Sequence, residues 1–281
     1  MAGHFHAAGH VVTVSDPGQA RLQLARSQGL QVAGDAGAAM ARADIIVSSL
    51  PNDAALRQVA AQVAQSARPG AIYIDTSTVS QQASAEVAQV LAAAGVFYLR
   101  TTVSGNNRMA EAAQLTVMAS GPRAAYDAAL PLLKLLGPHQ FYLGEAEEAR
   151  LMKLVVNLMI AQTSAMLAEA LTLGRKGGLN WQDMWQVLGA SAVASPIVKA
   201  KAVQLAVRDF TPTFTVEQMI KDLDLILDAG RAVHAPLAQT ALTQQLMHAA
   251  MAHGDGQDDY AAIIKTVERS AGLDTALEKV P

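Results

Sequence analysis

Cysteine is absent from the 281-residue chain, which excludes disulfide bonds, a thiolate nucleophile and a cysteine-based zinc site. A reducing compartment is permitted by this absence. Charge is also sparse: 16% of the residues are charged, the net charge is −3, and no basic patch stands out. This composition argues against nucleic acid as the main partner. Hydrophobic residues make up 51% of the chain, as in a well-buried globular protein.

Long apolar runs are missing as well. No stretch of about 18 uninterrupted apolar residues occurs, so no membrane span is expected. The N-terminus, MAGHFHAAGHVV, lacks the charged-then-apolar build of a signal peptide. The histidines show no metal-ligand spacing, and no metal site is predicted. We therefore expect a cytoplasmic protein without a membrane partner.

Short apolar runs alternate with helical stretches over the first half of the chain. Residues 45–50 and 71–75 are typical of buried strands, and this alternation predicts a mainly parallel sheet. From Gly144 onward the sequence shows only helical stretches separated by Gly and Pro. The fold class is therefore α/β, with a parallel-sheet domain over residues 1–143. An all-α domain over residues 144–281 follows and begins with a long helix that joins the two.

That joining helix carries an unusual polar pair. Residues 144–176 contain good helix formers and no proline, and they would span about 45 Å. Lys153 and Asn157 are four residues apart, so both project from one mostly apolar face. One interpretation is an edge lysine that reaches water over a neutral asparagine. The other is a general acid with a polar partner in a cleft between two domains.

Three predicted strands end in polar or turn-forming residues, at 16–17, 50–52 and 75–78. In a parallel sheet, ligands bind beyond the carboxyl ends of the strands. Asp16 could accept hydrogen bonds from the ribose of a dinucleotide, or could be a turn residue before proline. Thr78 could equally cap the helix that follows it.

Four motifs in chain order carry a family resemblance. The first is Thr102-Val-Ser-Gly-Asn106 together with the strand up to Met118, and the second is Gly144 followed by Lys153 and Asn157. The third is Lys221-Asp222-Leu223, and the fourth is Gly254-Asp-Gly256 with Asp259. Taken together and in this order along the chain, these motifs resemble the 3-hydroxyisobutyrate dehydrogenase family of β-hydroxyacid dehydrogenases. The resemblance implies a Rossmann-like first domain and an NAD(P)-dependent oxidoreductase that interconverts a small 3-hydroxy acid and its semialdehyde.

The resemblance also assigns residues to the reaction. Lys153 would stabilise the alkoxide and transfer its proton, while Asn157 would orient the substrate or the lysine. Ser104 and the backbone amides of Gly105 and Asn106 would hold the carboxylate of the small substrate. The usual second glycine of this loop is Asn106 here, so the substrate or its pose is expected to differ from the family pattern.

The cofactor groove is implied in the same way. Leu50, Pro51 and Thr78 would line it, and Lys221 would approach the cofactor, unless it is a solvated surface lysine. Asp16 has no arginine beside it in the sequence, which favours NAD and does not exclude NADP. The apolar composition of the all-α domain predicts a homo-dimer or tetramer.

The largest departure from the family pattern is at the start of the chain. Family members open with a strand and a G-x-G-x-x-G turn that holds the pyrophosphate, whereas Met1 to Gly9 resembles the helix after that turn. Two hypotheses follow: the natural protein starts further upstream and is longer, or this is a truncated form that binds dinucleotide poorly. Without that strand, residues 11–14 and 45–48 would lack a neighbour.

Two alternatives to the dehydrogenase remain open at this point. A catalytically silent, dehydrogenase-like binding module is supported by the missing glycine loop and opposed by the retention of Lys153, Asn157 and Ser104. An imine reductase-like enzyme would share the architecture, but such enzymes usually lack lysine at the catalytic position.

Overall fold

The computed structural model describes residues 1–274 and divides into two compact units. Residues 1–153 form the first unit, and the described residues from Leu154 onward form the second. The first unit alternates helices and strands: α1 (Ala2–Ala7), β1 (Thr13–Val14), α2 (Gln19–Ser27), β2 (Gln31–Val32), α3 (Ala36–Met40), β3 (Ile45–Ser48), α4 (Asp53–Ser66), β4 (Ile72–Asp75), α5 (Gln81–Ala93), β5 (Phe97–Ser104), α6 (Asn107–Glu111), β6 (Thr116–Ser120), α7 (Arg123–Leu133) and β7 (His139–Tyr142).

The strands of the first unit form two sheets. β1 and β2 pair in parallel, and β3 to β7 form a five-stranded sheet in sequence order. Its pairings are parallel except for β5 with β6, which confirms the predicted α/β fold with a mainly parallel sheet. Ser48 lies opposite Asp75, so the carboxyl ends of β3 and β4 are level with each other. In the described structure β1 pairs only with β2, and β3 pairs only with β4. Strands β1 and β3 therefore each have a neighbour on one side only, as expected for residues 11–14 and 45–48.

The five-stranded sheet buries both of its faces. Ile72 and Ile74 of β4 belong to a core cluster with α7, whereas Tyr73 between them belongs to a second cluster with α4 and α5. This alternation follows from the two-residue period of a strand. Helices therefore cover both faces of the sheet.

The second unit is helical throughout its described part. Its elements are the remainder of α8 (Glu148–Lys176), α9 (Trp181–Ala190), α10 (Pro196–Leu205), α11 (Val216–Ala232), α12 (Ala238–Ala252) and α13 (Ile263–Ser270). Local sequence explains several helix starts: Asn180 and Ser195 cap α9 and α10, and Thr215 forms a capping box with Gln218 at α11.

Helix α8 begins at Glu148, four residues later than the sequence predicts. Gly144 has φ +151°, a backbone angle that no helical residue adopts, and the Glu148 side chain accepts a hydrogen bond from the amide of Ala146 at 2.7 Å. The predicted helix over 144–147 is therefore wrong. The patterns also missed β2, α3 and α6, which are too short to show a clear period.

Among the described residues, α8 is the helix long and apolar enough to cross a membrane by length and composition alone. Core helices of globular proteins pass the same test, and 44% of its most apolar window is buried. Leu154, Ala161 and Leu171 of α8 contribute to the core of the second unit. Two other apolar side chains of α8, Met159 and Leu173, are 65% and 75% exposed. The association of the chain into a dimer or tetramer stays a prediction.

The acidic residues of the C-terminal motif hold the second unit together. Asp259 is fully buried and accepts hydrogen bonds from Lys201 Nζ at 2.5 Å and from the Thr213 hydroxyl at 2.8 Å. Asp255 pairs with Arg269 at 2.6 Å and with Lys265 at 3.2 Å. In the described structure these carboxylates are therefore occupied with structural contacts.

The Asp255 interactions generate a pH-dependent prediction. Burial alone would raise the pKa of Asp255, but the hydrogen bonds from Arg269 and Lys265 outweigh burial and hold it below its usual value. A depressed pKa means that the stability is present above the unfolded value of about 3.9 and is lost as pH falls through the folded value. Asp255→Asn should lose about 1–3 kcal/mol of unfolding free energy at pH 7.

The deficit should shrink as pH falls below the unfolded pKa of about 3.9, because the wild-type carboxylate then takes up its proton progressively in the folded state as well. Urea unfolding at pH 7 and pH 3 measures it. The control is Asp127→Asn, whose exposed pair with Arg123 should contribute less than about 1 kcal/mol. A deficit that stays the same at both pH values would contradict the electrostatic explanation.

Candidate active site

The two polar residues of the long helix keep the relation that their spacing predicts. Lys153 and Asn157 are both helical within α8, so they lie one turn apart on one face. Lys153 is half-buried and is the last residue of the first unit, whereas Asn157 is 5% exposed and belongs to the second.

Asn157 is oriented by a buried carboxylate. Its Nδ2 donates to Asp222 Oδ2 at 2.5 Å, and Asp222 on α11 is 1% exposed. The other oxygen of Asp222 lies 2.8 Å from Lys221 Nζ. With the amide nitrogen engaged, Asn157 keeps its carbonyl oxygen to accept a hydrogen bond from an ammonium or hydroxyl group.

Asp222 is a functional candidate that the sequence patterns did not single out. It was visible only as the middle residue of Lys221-Asp222-Leu223, and Asn157 is 65 residues away in the chain. Lys221 itself is 36% exposed and paired with Asp222. Its approach to a cofactor stays a prediction.

The loops after β3 and β4 lie together, as their assignment to one groove requires. The amide of Leu50 donates to Ser77 Oγ at 2.7 Å, and the Thr76 hydroxyl donates to the Ser48 carbonyl at 2.8 Å. Pro51 follows Leu50, and Thr78 follows Ser77. These neighbouring loops at the carboxyl ends of parallel strands are where a nucleotide is expected to bind.

The loop that is predicted to bind the substrate follows β5. Ser104 ends the strand, and Gly105 has φ +137°, which favours glycine. A side chain at Gly105 would also place its Cβ 2.6 Å from Leu115. Asn106 caps α6, because its side chain accepts from the amide of Met109 at 3.0 Å. The side chain that replaces the family glycine is therefore turned to its own helix.

Asp16 lies two residues beyond β1, and its contact with a ribose stays a prediction. It accepts a hydrogen bond from the Gly18 amide at 2.7 Å, and Arg21 on α2 lies 4.0 Å from its other oxygen. In the sequence no arginine is adjacent to Asp16, which favours NAD. The structure corrects that premise, because the chain turns back after Pro17 and brings Arg21 close.

Two family models together match nearly the whole chain. One, described as the NAD binding domain of 6-phosphogluconate dehydrogenase, matches residues 1–144. The other, described as the NAD-binding domain of NADP-dependent 3-hydroxyisobutyrate dehydrogenase, matches residues 148–267. The cofactor is therefore NAD or NADP, and the chain's own donor set suits it, since carboxylate and amide groups follow the strand ends.

Individual relatives agree with these models. The 2-(hydroxymethyl)glutarate dehydrogenase of Eubacterium barkeri is 32% identical over 97% of this chain and 92% of that protein. The cytokine-like nuclear factor N-PAC of Homo sapiens is 28% identical, and the chain spans 47% of its length.

Solved structures give the same result. A 3-hydroxyisobutyrate dehydrogenase from Salmonella typhimurium has a TM-score of 0.86 and 26% identity over 94% of each chain. The enzyme of that name from Mycobacterium tuberculosis, with L-serine, has a TM-score of 0.85 and 28% identity over 95% of this chain and 94% of that one.

Proposed function

Because the chain belongs to the 3-hydroxyisobutyrate dehydrogenase family of NAD(P)-dependent hydroxyacid dehydrogenases, we propose that it interconverts a small 3-hydroxy acid and its semialdehyde. The observation that carries this proposal is the position of Lys153 and Asn157 on one face of α8, with the Asn157 amide held by Asp222. An ammonium group and a neutral acceptor suit proton transfer at an alcohol oxygen.

The nicotinamide carries the hydride when it is bound, so the side chains of the protein have to transfer the proton. In the reducing direction, the Lys153 ammonium stabilises the negative charge that develops on the aldehyde oxygen and donates a proton to it. In the oxidising direction, the neutral amine accepts the proton of the alcohol. Asn157 accepts a hydrogen bond through its carbonyl oxygen and so directs the ammonium or the hydroxyl.

The substrate class follows from the loop after β5 and from the relatives. Ser104, with the amides of Gly105 and Asn106, would hold a carboxylate through a hydroxyl and backbone N–H groups. In 2-(hydroxymethyl)glutarate and in 3-hydroxyisobutyrate, which occur in the relatives' names, a hydroxymethyl group is attached to the carbon next to a carboxylate. L-Serine has the same relation between its hydroxyl and carboxylate.

The cofactor would be held mainly at the strand ends of the first unit. Asp16 would accept hydrogen bonds from the ribose, and Leu50, Pro51 and Thr78 would line the groove. The silent module is not favoured, because Lys153, Asn157 and Ser104 are all retained. The imine reductase structures are below 25% identical and support the fold alone.

Replacing the proposed general acid should separate chemistry from cofactor binding. Lys153→Ala should lower kcat by about 10²–10⁴-fold, because proton transfer is lost, while the Kd for NAD(P) should stay within about threefold. Steady-state kinetics and calorimetry measure the two quantities. Lys176→Ala, an exposed lysine at the end of the same helix, is the matched control. A parallel loss of rate and cofactor affinity would show that the lysine is structural.

Removing the substrate-loop hydroxyl should act on binding. Ser104→Ala should raise KM for the hydroxy acid about 10-fold or more and leave kcat nearly unchanged, because a hydrogen bond to a charged group contributes about 1.5–3 kcal/mol in ground and transition states alike. Ser27→Ala, on the exposed side of α2, controls for general effects. An unchanged KM would remove Ser104 from the substrate site.

The orientation of Asn157 can be tested through Asp222. Asp222→Ala removes the acceptor of Nδ2 and frees the amide, so kcat should fall about 10-fold or more. Asp222→Asn keeps an acceptor oxygen and should retain most of the rate. Asp224→Ala, exposed two residues further on α11, should resemble wild type. If Asp222→Asn were as slow as Asp222→Ala, the charge of Asp222, and not the orientation of Asn157, would be what matters.

A further inference from the structure

One arginine is buried completely at the start of the helix that carries the proposed general acid. Arg150 is the third residue of α8 and precedes Lys153 by three residues, close to one helical turn. Its side chain is 0% exposed, and so is that of its ion-pair partner, Asp75 at the end of β4. Charged side chains are almost never buried to this extent unless they are paired.

The Arg150 guanidinium is satisfied by groups of three different elements. One terminal nitrogen donates to Asp75 Oδ2 at 2.5 Å and to the Tyr98 hydroxyl of β5 at 2.7 Å. The other donates to the Ser77 carbonyl at 2.5 Å, and Nε donates to Ser84 Oγ on α5 at 3.3 Å. The geometry uses the planar fork that distinguishes arginine from lysine.

From Asp75 the network continues into both cofactor loops. Asp75 Oδ1 accepts from the hydroxyls of Ser48 at 2.5 Å and of Ser77 at 2.6 Å. Ser77 Oγ in turn accepts from the amide of Leu50 at 2.7 Å. The backbone at Leu50 and at Ser77 is thus joined to Arg150 by an unbroken chain of hydrogen bonds.

The network is balanced with one positive and one negative charge. Burial alone would lower the pKa of Arg150, but Tyr98 and Asp75 raise it above its usual value, so the guanidinium is charged. Burial raises the pKa of Tyr98, so its hydroxyl is neutral. Buried ion pairs contribute little net stability compared with apolar side chains of similar volume, and stability is a weak reason for this one.

We propose that Arg150 is a positioning residue, which holds the start of α8, and with it Lys153, in register with the cofactor loops at Leu50 and Ser77–Thr78. This proposal rests on the proposed function. Arg150 belongs to the helix on which the proposed general acid lies, and its side chain contacts the β4 carboxylate that joins the two loops. A displacement of about 1 Å between such groups can cost about 10²-fold in rate.

A second buried ion pair at the same place provides a matched control. Arg100 of β5 donates to Glu147 Oε1 through Nε at 2.8 Å and through a terminal nitrogen at 2.5 Å. The two side chains are 7% and 14% exposed, and Glu147 immediately precedes α8. No hydrogen bond of Arg100 in the described structure reaches either cofactor loop. Breaking this pair therefore disturbs the helix start without releasing the loops.

The first experiment measures amide hydrogen exchange in the full chain and needs no activity. Arg150→Met should raise deuterium uptake in peptides that contain residues 49–52 and 76–79, and Arg150→Lys should give an intermediate increase. Arg100→Met should leave these two loops at the wild-type rate. If Arg150→Met fails to fold, the double variant Arg150→Met/Asp75→Asn removes both charges and the tether together. Unchanged exchange in the loops of the folded variants would overturn the proposal.

The second experiment measures kinetics well below the Tm of each variant, so that all molecules are folded. Arg150→Met should lower kcat about 10- to 100-fold with KM for the hydroxy acid within about threefold, and Arg150→Lys should recover part of the rate. A normal kcat, or an equal loss in Arg100→Met, would overturn the positioning function. A wild-type chain that turned over no 3-hydroxy acid would contradict the proposed function, whereas the exchange experiment would still decide whether Arg150 holds the loops.

Discussion

The ion pair between Arg150 and Asp75 excludes water completely, and the functional edge of the first unit is arranged around it. Asp75 ends a central strand, so any change in its position is transmitted to the neighbouring strand through Ser48 and to the following loop through Ser77. A buried charge without its partner costs several kcal/mol, so the ion pair strongly disfavours separation of its two elements. This constraint links the end of a strand to the start of the helix that carries Lys153.

The second unit uses buried carboxylates in a different way. Asp259 and Glu268 are 0% exposed, and each is satisfied by cations distant in the chain: Lys201 for the former, and Arg175 and Arg208 for the latter. Asp222 is buried to a similar extent, but it orients the amide of Asn157. Within one helical unit, the same side-chain chemistry thus stabilises the fold at one place and presents a polar acceptor at another.

Much of the architecture could be predicted because it depends on local patterns. The apolar runs that became β3 and β4 lie between turn-forming residues, and the alternation of strands and helices required a mainly parallel sheet. The prediction failed where local patterns are weak. Helix α8 starts at Glu148 because Gly144 adopts φ +151°, an angle that a glycine in a sequence permits but does not announce.

The sequence by itself determined that Lys153 and Asn157 share a helix face, because four residues in an α-helix always bring two side chains to the same side. Only the tertiary structure decided which atoms of these residues are available and what holds them. The Asn157 amide is oriented by a carboxylate 65 residues away, and Arg150 meets an aspartate 75 residues away. Such contacts form when elements pack against each other, and no periodicity along the chain encodes which buried charge will meet which partner.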